Sequence, residues 1–312
     1  DNRVEVFHVG AAGLRHAYSI PVGLEPVAVA ERGGWVWVVN HLSDSVSVID
    51  ARSATPRVVA TLQVGDEPRD VVFAGTGRGR AFITTAHRGQ NSPYTHPDNP
   101  GELTTPGIGR ADVWVFDVEA VQARAIRKPL TIVKLFTDTP RALETSPDGN
   151  LVYAAGFHTG NQSTAIHEDA VCNGGASARP CLVNRSIAPG GVPGPNSADG
   201  RPGPETGLIV KYDGQAWRDS LGRSWNGQVR FTLPDSDLFA IDALAATPRV
   251  VRSWAHVGTV LYNLRANPKT GTLYVSNTEA SNHIRFEGAR PAGSVHTTVQ
   301  GRAHQSRITV ID

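Results

Sequence analysis

Histidines are the side chains of this chain best suited to chemistry, and most of them occupy one place in a repeated pattern. The chain has 11 histidines, and eight of them follow the second apolar segment of a repeating unit: His41, His87, His96, His158, His167, His283, His296 and His304. Imidazole titrates near neutral pH and is the most common metal ligand in proteins. If the units repeat in space as they do in sequence, these side chains share one face of the molecule.

Four of these histidines form a candidate metal site. His41 and His87 directly follow the apolar segments of units one and two, His158 lies one residue later in unit three, and His283 follows in unit four. Several imidazoles on a rigid frame bind Cu, Zn or Fe, so we expect a transition-metal site at these positions. The alternative is that the imidazoles only hydrogen-bond to neighbouring backbone, as histidines in polar loops often do.

Two arginines also occupy corresponding positions. Arg69 follows Pro68 in unit two, and Arg141 follows Pro140 in unit three. Paired guanidinium groups can hold a carboxylate or a phosphate of a substrate through bidentate hydrogen bonds. The more ordinary alternative is that they pair with the nearby carboxylates Asp70, Glu67 and Glu144 and fix contacts between units.

The repeating unit that positions these residues is a set of four short apolar segments. Val22–Pro26 (Val-Gly-Leu-Glu-Pro) recurs 42 residues later as Val64–Pro68 (Val-Gly-Asp-Glu-Pro), and each copy precedes an apolar run. The second segments are 35–40, 81–85, 151–155 and 273–277, and the third segments end in aspartate at Asp50, Asp117, Asp213 and Asp312. These segments are rich in β-branched and aromatic residues and are bounded by Gly, Pro and Asp, which is typical of strands. Four antiparallel strands in a unit of about 42 residues are characteristic of a propeller blade.

The second segments resemble a named repeat. Trp37-Val38-Val39-Asn40 and Tyr274-Val275-Ser276-Asn277 stand where the YVTN family of β-propellers has Tyr-Val-Thr-Asn. The resemblance implies an all-β fold of four-stranded antiparallel blades. Members of that family typically have seven blades, and the motif says little about function because propellers host many activities.

The predicted blades span 26–67, 68–139, 140–258 and 259–312 of a single propeller domain, with insertions at 87–111, 157–207 and 278–306 on one face. Two arrangements are open. The segment 16–22 completes the last blade and closes a four-bladed ring, or these blades belong to a larger propeller of about seven. An additional strand predicted at 3–9 favours the larger propeller.

Composition limits the function classes. The formal net charge of +1 gives no reason to expect nucleic acid as a partner, and no apolar run is long enough to span a membrane. The chain has no methionine and two cysteines, Cys172 and Cys181, in the third unit's insertion. We expect a disulfide between them, a signal peptide already removed, and a periplasmic or extracellular location. No Cys-x-x-Cys-His motif is present, so no covalent haem is expected on this chain. Asp98, Asn99 and Glu102 are candidate oxygen ligands for Ca²⁺.

Three functions remain open at this stage. The first is a docking scaffold in a redox or electron-transfer assembly, because segments 276–279, 284–288 and 306–310 resemble the propeller part of large bacterial proteins that join such repeats to c-type cytochrome domains. That resemblance implies a c-type cytochrome domain or subunit as protein partner. The second is a metal-dependent propeller enzyme, an oxidoreductase or lactonase-like protein with a histidine-lined site. The third is a cell-surface adhesion module.

Overall fold

The structure is a computed structural model of the chain. It describes residues 2–93, 109, 111–125, 127–159, 162–166, 182–183, 186–187, 208–219, 222, 224–229, 236–280 and 304–312. In these parts nearly all regular structure is antiparallel strand, as the repeat predicted. No described helix is long and apolar enough to cross a membrane.

The chain begins with a hairpin and a complete blade. The hairpin pairs β1 (Arg3–Gly10) with β2 (Gly13–Pro21). Blade one has the strand order β3 (Pro26–Arg32), β4 (Trp35–Asn40), β5 (Ser45–Asp50) and β6 (Arg57–Gln63), with a 3-10 turn at His41–Ser43.

Two further blades repeat this order. Blade two contains β7 (Asp66–Ala74), β8 (Arg80–His87), β9 (Ala111–Asp117) and β10 (Thr131–Leu135), with a 3-10 turn at Thr76–Arg78 and the short helix α1 at Val118–Gln122. Blade three contains β11 (Pro140–Thr145), β12 (Leu151–Gly156), β18 (Leu238–Asp242) and β19 (Arg249–Trp254).

The long segment between β12 and β18 carries small sheets of its own. One consists of β13 (Ser163–Ile166), β16 (Leu208–Tyr212) and β17 (Trp217–Arg218), and another pairs β14 (Leu182–Val183) with β15 (Ser186–Ile187). The predicted third strand of unit three, ending at Asp213, was therefore wrong. The strand that pairs with β12 is β18, which also ends in an aspartate, Asp242.

In the described residues, blade four has three strands: β20 (Val260–Ala266), β21 (Leu273–Ala280) and β22 (His304–Ile311). The segment 16–22 does not complete it, because β2 pairs with β1 instead. The hairpin packs on blade one, where Ile20 lies against Val38 and Ile49. Since β2 leads into β3 through the same Val-Gly-x-Glu-Pro phrase by which β6 leads into β7, the hairpin occupies the place of a preceding blade's two outer strands.

Apolar faces of successive blades form the core. Trp37, Val46 and Val48 of blade one pack on Phe73 and Ile83 of blade two. The opposite face of blade two packs on blade three, and the opposite face of blade three packs on blade four. The first strands β3, β7, β11 and β20 lie side by side along the inner edge of the stack.

The asparagine of the YVTN-like motif has a packing role. A Cβ on Gly23 would lie 2.7 Å from Cγ of Asn40, and a Cβ on Gly258 would lie 2.5 Å from Oδ1 of Asn277, so the glycine makes room for the amide in blades one and four. In blade three the small and the large residue are exchanged between these two positions. Gly156 stands at the asparagine position, and the Thr137 side chain, at the glycine position, fills the space.

Candidate functional site

The candidate site lies where the second strands end and the first strands begin, which we call the loop face. In blades one, two and three, Glu25, Glu67 and Thr139 have left-handed φ values of 51°, 50° and 51° just before the proline that opens the first strand. A β-bulge follows in each of these three blades and also in blade four. It displaces the residue after the last residue paired before the register shift, which is Pro26, Pro68, Pro140 or Leu261. Bulges redirect single side chains.

Strand pairing corrects the alignment of the histidines. In blades one, two and three the closing aspartates Asp50, Asp117 and Asp242 pair with Trp35, Arg80 and Leu151. His87 lies seven residues after Arg80, and His158 lies seven residues after Leu151, so the two histidines occupy the same position in their blades. His41 is one residue out of step and aligns with Ala86. His41 begins the 3-10 turn at His41–Ser43 and its side chain is buried, so it does not share the half-exposed surroundings of the other two.

His41 is a buried contact between blades. Its side chain lies in the interface with blade two, and its Nδ1 lies 3.2 Å from the carbonyl oxygen of Pro68. This is the backbone hydrogen bonding that the alternative interpretation predicted for the loop histidines.

His87 and His158 converge on a single carboxylate. His87 Nε2 lies 3.6 Å from Oδ1 of Asp138, and His158 Nδ1 lies 3.9 Å from the same oxygen. The hydroxyl of Thr139 donates to this oxygen at 2.6 Å. All three side chains are roughly half exposed, and the cluster joins blade two to blade three.

Contacts within the cluster shift the pKa values of His87 and Asp138. The contact with Asp138 raises the pKa of His87 above its ordinary value of 6.5, although partial burial opposes the shift. The same contact, helped by the Thr139 hydroxyl and His158, lowers the pKa of Asp138 to about 2. A carboxylate beside an imidazole orients the ring and favours its protonated form, which is a usual arrangement for acid–base work.

The other metal-site predictions stay predictions. Within the described part of the chain, no group of three His, Cys, Asp or Glu side chains could hold a metal ion. His283, the cysteines Cys172 and Cys181, and the candidate calcium ligands lie outside the described residues.

In blade four the position of His87 and His158 is taken by Glu279. Its carboxylate binds Lys211 of β16 and accepts a hydrogen bond from Arg307 Nη2 of β22 at 2.9 Å. Arg307 also donates to Oδ1 of Asn277 at 3.0 Å. Sequence reasoning missed this ion group, although Glu279 stands two residues after the YVTN-like segment.

Two of the three carboxylates proposed as partners of the arginines, Asp70 and Glu144, are engaged elsewhere. Asp70 accepts hydrogen bonds from the backbone of Val71 and Leu143, both at 2.8 Å, and burial raises its pKa. Glu144 binds Arg265 at 3.0 Å. Within the described part of the chain, the Arg69 side chain makes no hydrogen bond or ion pair, with Glu67 or with any other group, so the structure does not show the predicted pairing.

Arg141 instead lies against an aromatic ring. Its guanidinium carbon is 4.8 Å from the centre of the Phe157 ring. The same ring contacts Tyr262 of blade four, with 5.6 Å between centroids, and His158, with 4.5 Å between centroids. Arg69, Arg141 and Tyr262 are bulge residues in successive blades, and Val27 is their counterpart in blade one.

Comparisons with known proteins support the fold. No protein-family model and no curated protein matches the chain, so membership of the YVTN family stays a prediction. Among solved structures, a chain of Kuenenia stuttgartiensis hydrazine synthase is similar with a TM-score of 0.53 and 16% identity, over 99% of this chain and 56% of that chain. A protein of unknown function from Desulfotomaculum acetoxidans has a TM-score of 0.39 and 13% identity, over 96% of this chain and 76% of that chain.

With the stacked four-stranded sheets, the first likeness confirms the predicted β-propeller fold. The chain spans little more than half of the hydrazine synthase chain that it matches.

Proposed function

We propose that this chain is a section of a larger β-propeller that serves as a docking scaffold in a periplasmic or extracellular redox assembly, with a c-type cytochrome domain or subunit as partner. The observation that carries the proposal is the outer face of blade four. On this face β21 and β22 expose Tyr274, Ile308 and Val310.

The repeat supplies an internal standard for that exposure. Ile308, counted from the closing aspartate, is equivalent to Val46, Val113 and Leu238, which are all fully buried against the next blade. Ile308 is 66% exposed and Val310 is 54% exposed. A face whose equivalents are interior in three blades has the composition of a contact surface, and large exposed apolar patches mark interaction sites.

The other end of the stack shows the same feature. Val29 of β3 is 62% exposed, whereas the residues at its position in the next three blades, Val71, Leu143 and Leu264, are buried. The hairpin covers the outer part of blade one and leaves this inner position open. Both ends therefore present surfaces that fit a further propeller blade.

The redox partner and the location rest on other observations. The likeness to hydrazine synthase over 56% of its chain supports a role as part of a larger protein or assembly. The two cysteines within one insertion support an oxidising compartment. The His87–Asp138–His158 cluster, on the half-exposed loop face, is a polar feature that a docked partner would meet.

Purification from the native source tests this function. We expect the chain to elute with a chain, or as part of a longer chain, that shows the absorption bands of c-type haem, with a mass by light scattering well above 33.3 kDa. A haem-free species of the mass of this chain alone would contradict the scaffold function.

The His87–Asp138 contact favours one second candidate, an enzyme that uses His87 as a general base in the hydrolysis of a lactone. The raised pKa of His87 and its orienting carboxylate carry this alternative. It predicts lactone hydrolysis that is lost in His87→Gln and retained in His41→Gln. Absence of hydrolysis across a lactone panel excludes it.

A further inference from the structure

We propose that the inner edge of the loop face binds a small carboxylate with an aromatic body. Arg69 and Arg141 hold the carboxylate group, and Phe157 and Tyr262 contact the apolar part. This ligand site lies within the chain and does not depend on the proposed docking of further blades.

The position of the two arginines is set by the repeat. Both are the bulge residues that follow the opening proline of a first strand, and β7 and β11 lie side by side at the inner edge. The hydrogen bond from Leu143 N–H to Asp70 Oδ2, at 2.8 Å, ties the two strands together beside these residues. The two guanidinium groups therefore belong to one region of the loop face.

Their lack of carboxylate partners points to an external anion. Both arginines are partly buried, and within the described residues neither forms an ion pair. Asp70 and Glu144, the carboxylates nearest in sequence on their own strands, are bound to backbone N–H groups and to Arg265. The Asp138 carboxylate contacts His87 and His158. A partly buried guanidinium gains most from a ligand that accepts two hydrogen bonds in its plane.

The aromatic contacts select the rest of the ligand. Phe157 orients the Arg141 guanidinium by stacking at 4.8 Å, which leaves the N–H groups at the edge of the plane free to donate. Tyr262 packs edge-on against Phe157 and is 44% exposed, so part of its ring is open to a ligand. A phosphate would place its remaining oxygens against these rings, whereas an aromatic carboxylate places carbon there.

Benzoate is the probe that matches this chemistry. Titration calorimetry of the 312-residue chain at fixed ionic strength should show benzoate binding, weaker binding of acetate, and no binding of neutral benzamide. Arg141→Gln should weaken benzoate binding about tenfold, the effect of losing one charged hydrogen-bonding group. Arg141→Lys, which keeps the charge without the planar fork, should also weaken it.

Three further variants separate the parts of the site. Arg15→Gln, on the hairpin, is the matched control and should leave binding unchanged. Tyr262→Leu should reduce the preference for benzoate over acetate. Val27→Arg, which puts a guanidinium at the equivalent bulge of blade one, should strengthen binding of both acids. Thermal unfolding of each variant shows whether it is folded.

Each alternative result overturns the proposal. Phosphate binding tighter than benzoate would mean an oxyanion site without an aromatic component. Equal binding of benzamide and benzoate would mean an apolar site in which the arginines have no part. Loss of binding in folded Arg15→Gln, or full binding in folded Arg141→Gln, would place the site elsewhere.

Discussion

Equivalent positions on the third strands of blades two and four differ in burial. Val113 of β9 is fully buried between blades two and three, and Ile308 of β22, four residues before the closing aspartate as Val113 is, lies mostly in solvent. Both strands carry β-branched residues four and two places before the closing aspartate, Val113 and Val115 in β9 and Ile308 and Val310 in β22, so these positions alone do not distinguish the two strands. The comparison teaches that blade four carries apolar residues at the positions through which the inner blades contact their neighbours, and the proposed docking function makes this face an interface as well.

The largest effect that tests this comparison comes from placing a charge at the two positions. Val113→Asp should destabilise the chain by about 4 kcal/mol or more, because it buries an unpaired carboxylate in a packed interface. Ile308→Asp should change the free energy of unfolding of the same chain by less than about 0.5 kcal/mol, as at other exposed sites. Urea unfolding of both variants measures the difference. Similar losses in the two would mean that the outer face of blade four is already covered.

A second comparison concerns blades one and three, which fill the same space from opposite sides. In blade one Gly23 accommodates Asn40, and in blade three Thr137 fills the space above Gly156. Gly156→Asn should destabilise the chain by about 1–3 kcal/mol, because the added side chain overlaps Thr137. Thr137→Gly combined with Gly156→Asn should recover at least half of that loss. A double variant no more stable than the single one would show that the two positions are not packed as a pair.

The smallest effect concerns His87 and His158, the two aligned histidines. Their contact with Asp138 distinguishes the junction between blades two and three from the other junctions in the described residues. Asp138→Asn should lower the pKa of His87 towards 6.5, as measured by NMR titration, and should cost less than about 1 kcal/mol of stability because the groups are half exposed.

The pH dependence of that cost has a defined sign. The raised pKa of His87 stabilises the fold below pH 6.5, and this contribution is lost as the pH rises through the raised value. The lowered pKa of Asp138 stabilises the fold above pH 3.8, and this is lost as the pH falls towards about 2. The difference between wild type and Asp138→Asn should therefore be greatest near pH 5 and smaller at pH 8.5. His87→Gln should remove most of this pH dependence. A stability difference between wild type and Asp138→Asn that grows with pH would contradict the assignment of the effect to His87.

The sequence predicted the blades well where the period was local. The phrases Val22–Pro26 and Val64–Pro68 and the strands that follow them lie close together in the chain, so turn residues and alternation were sufficient. It failed in unit three, where segments ending at Asp213 and Asp242 both have the pattern of a third strand. Pairing across more than 80 residues selects the second of them, and no local pattern contains that information.

The site was predicted in part for a similar reason. His87 and His158 were expected on one face, and they do meet at Asp138, a residue that the sequence did not single out. His41 was grouped with them because it follows a strand, but a shift of one residue turns it into the interface. The arginines were placed correctly in the repeat, while the engagement of Asp70 and Glu144 depends on contacts between blades.

The most direct test of the central claim is hydroxyl-radical footprinting of the native assembly and of the isolated 312-residue chain. The account predicts that Tyr274, Ile308 and Val310 are labelled in the isolated chain and become as protected in the assembly as Leu238, the buried equivalent of Ile308. Equal labelling of these residues in both samples would contradict it, because the outer face of blade four would then have no partner.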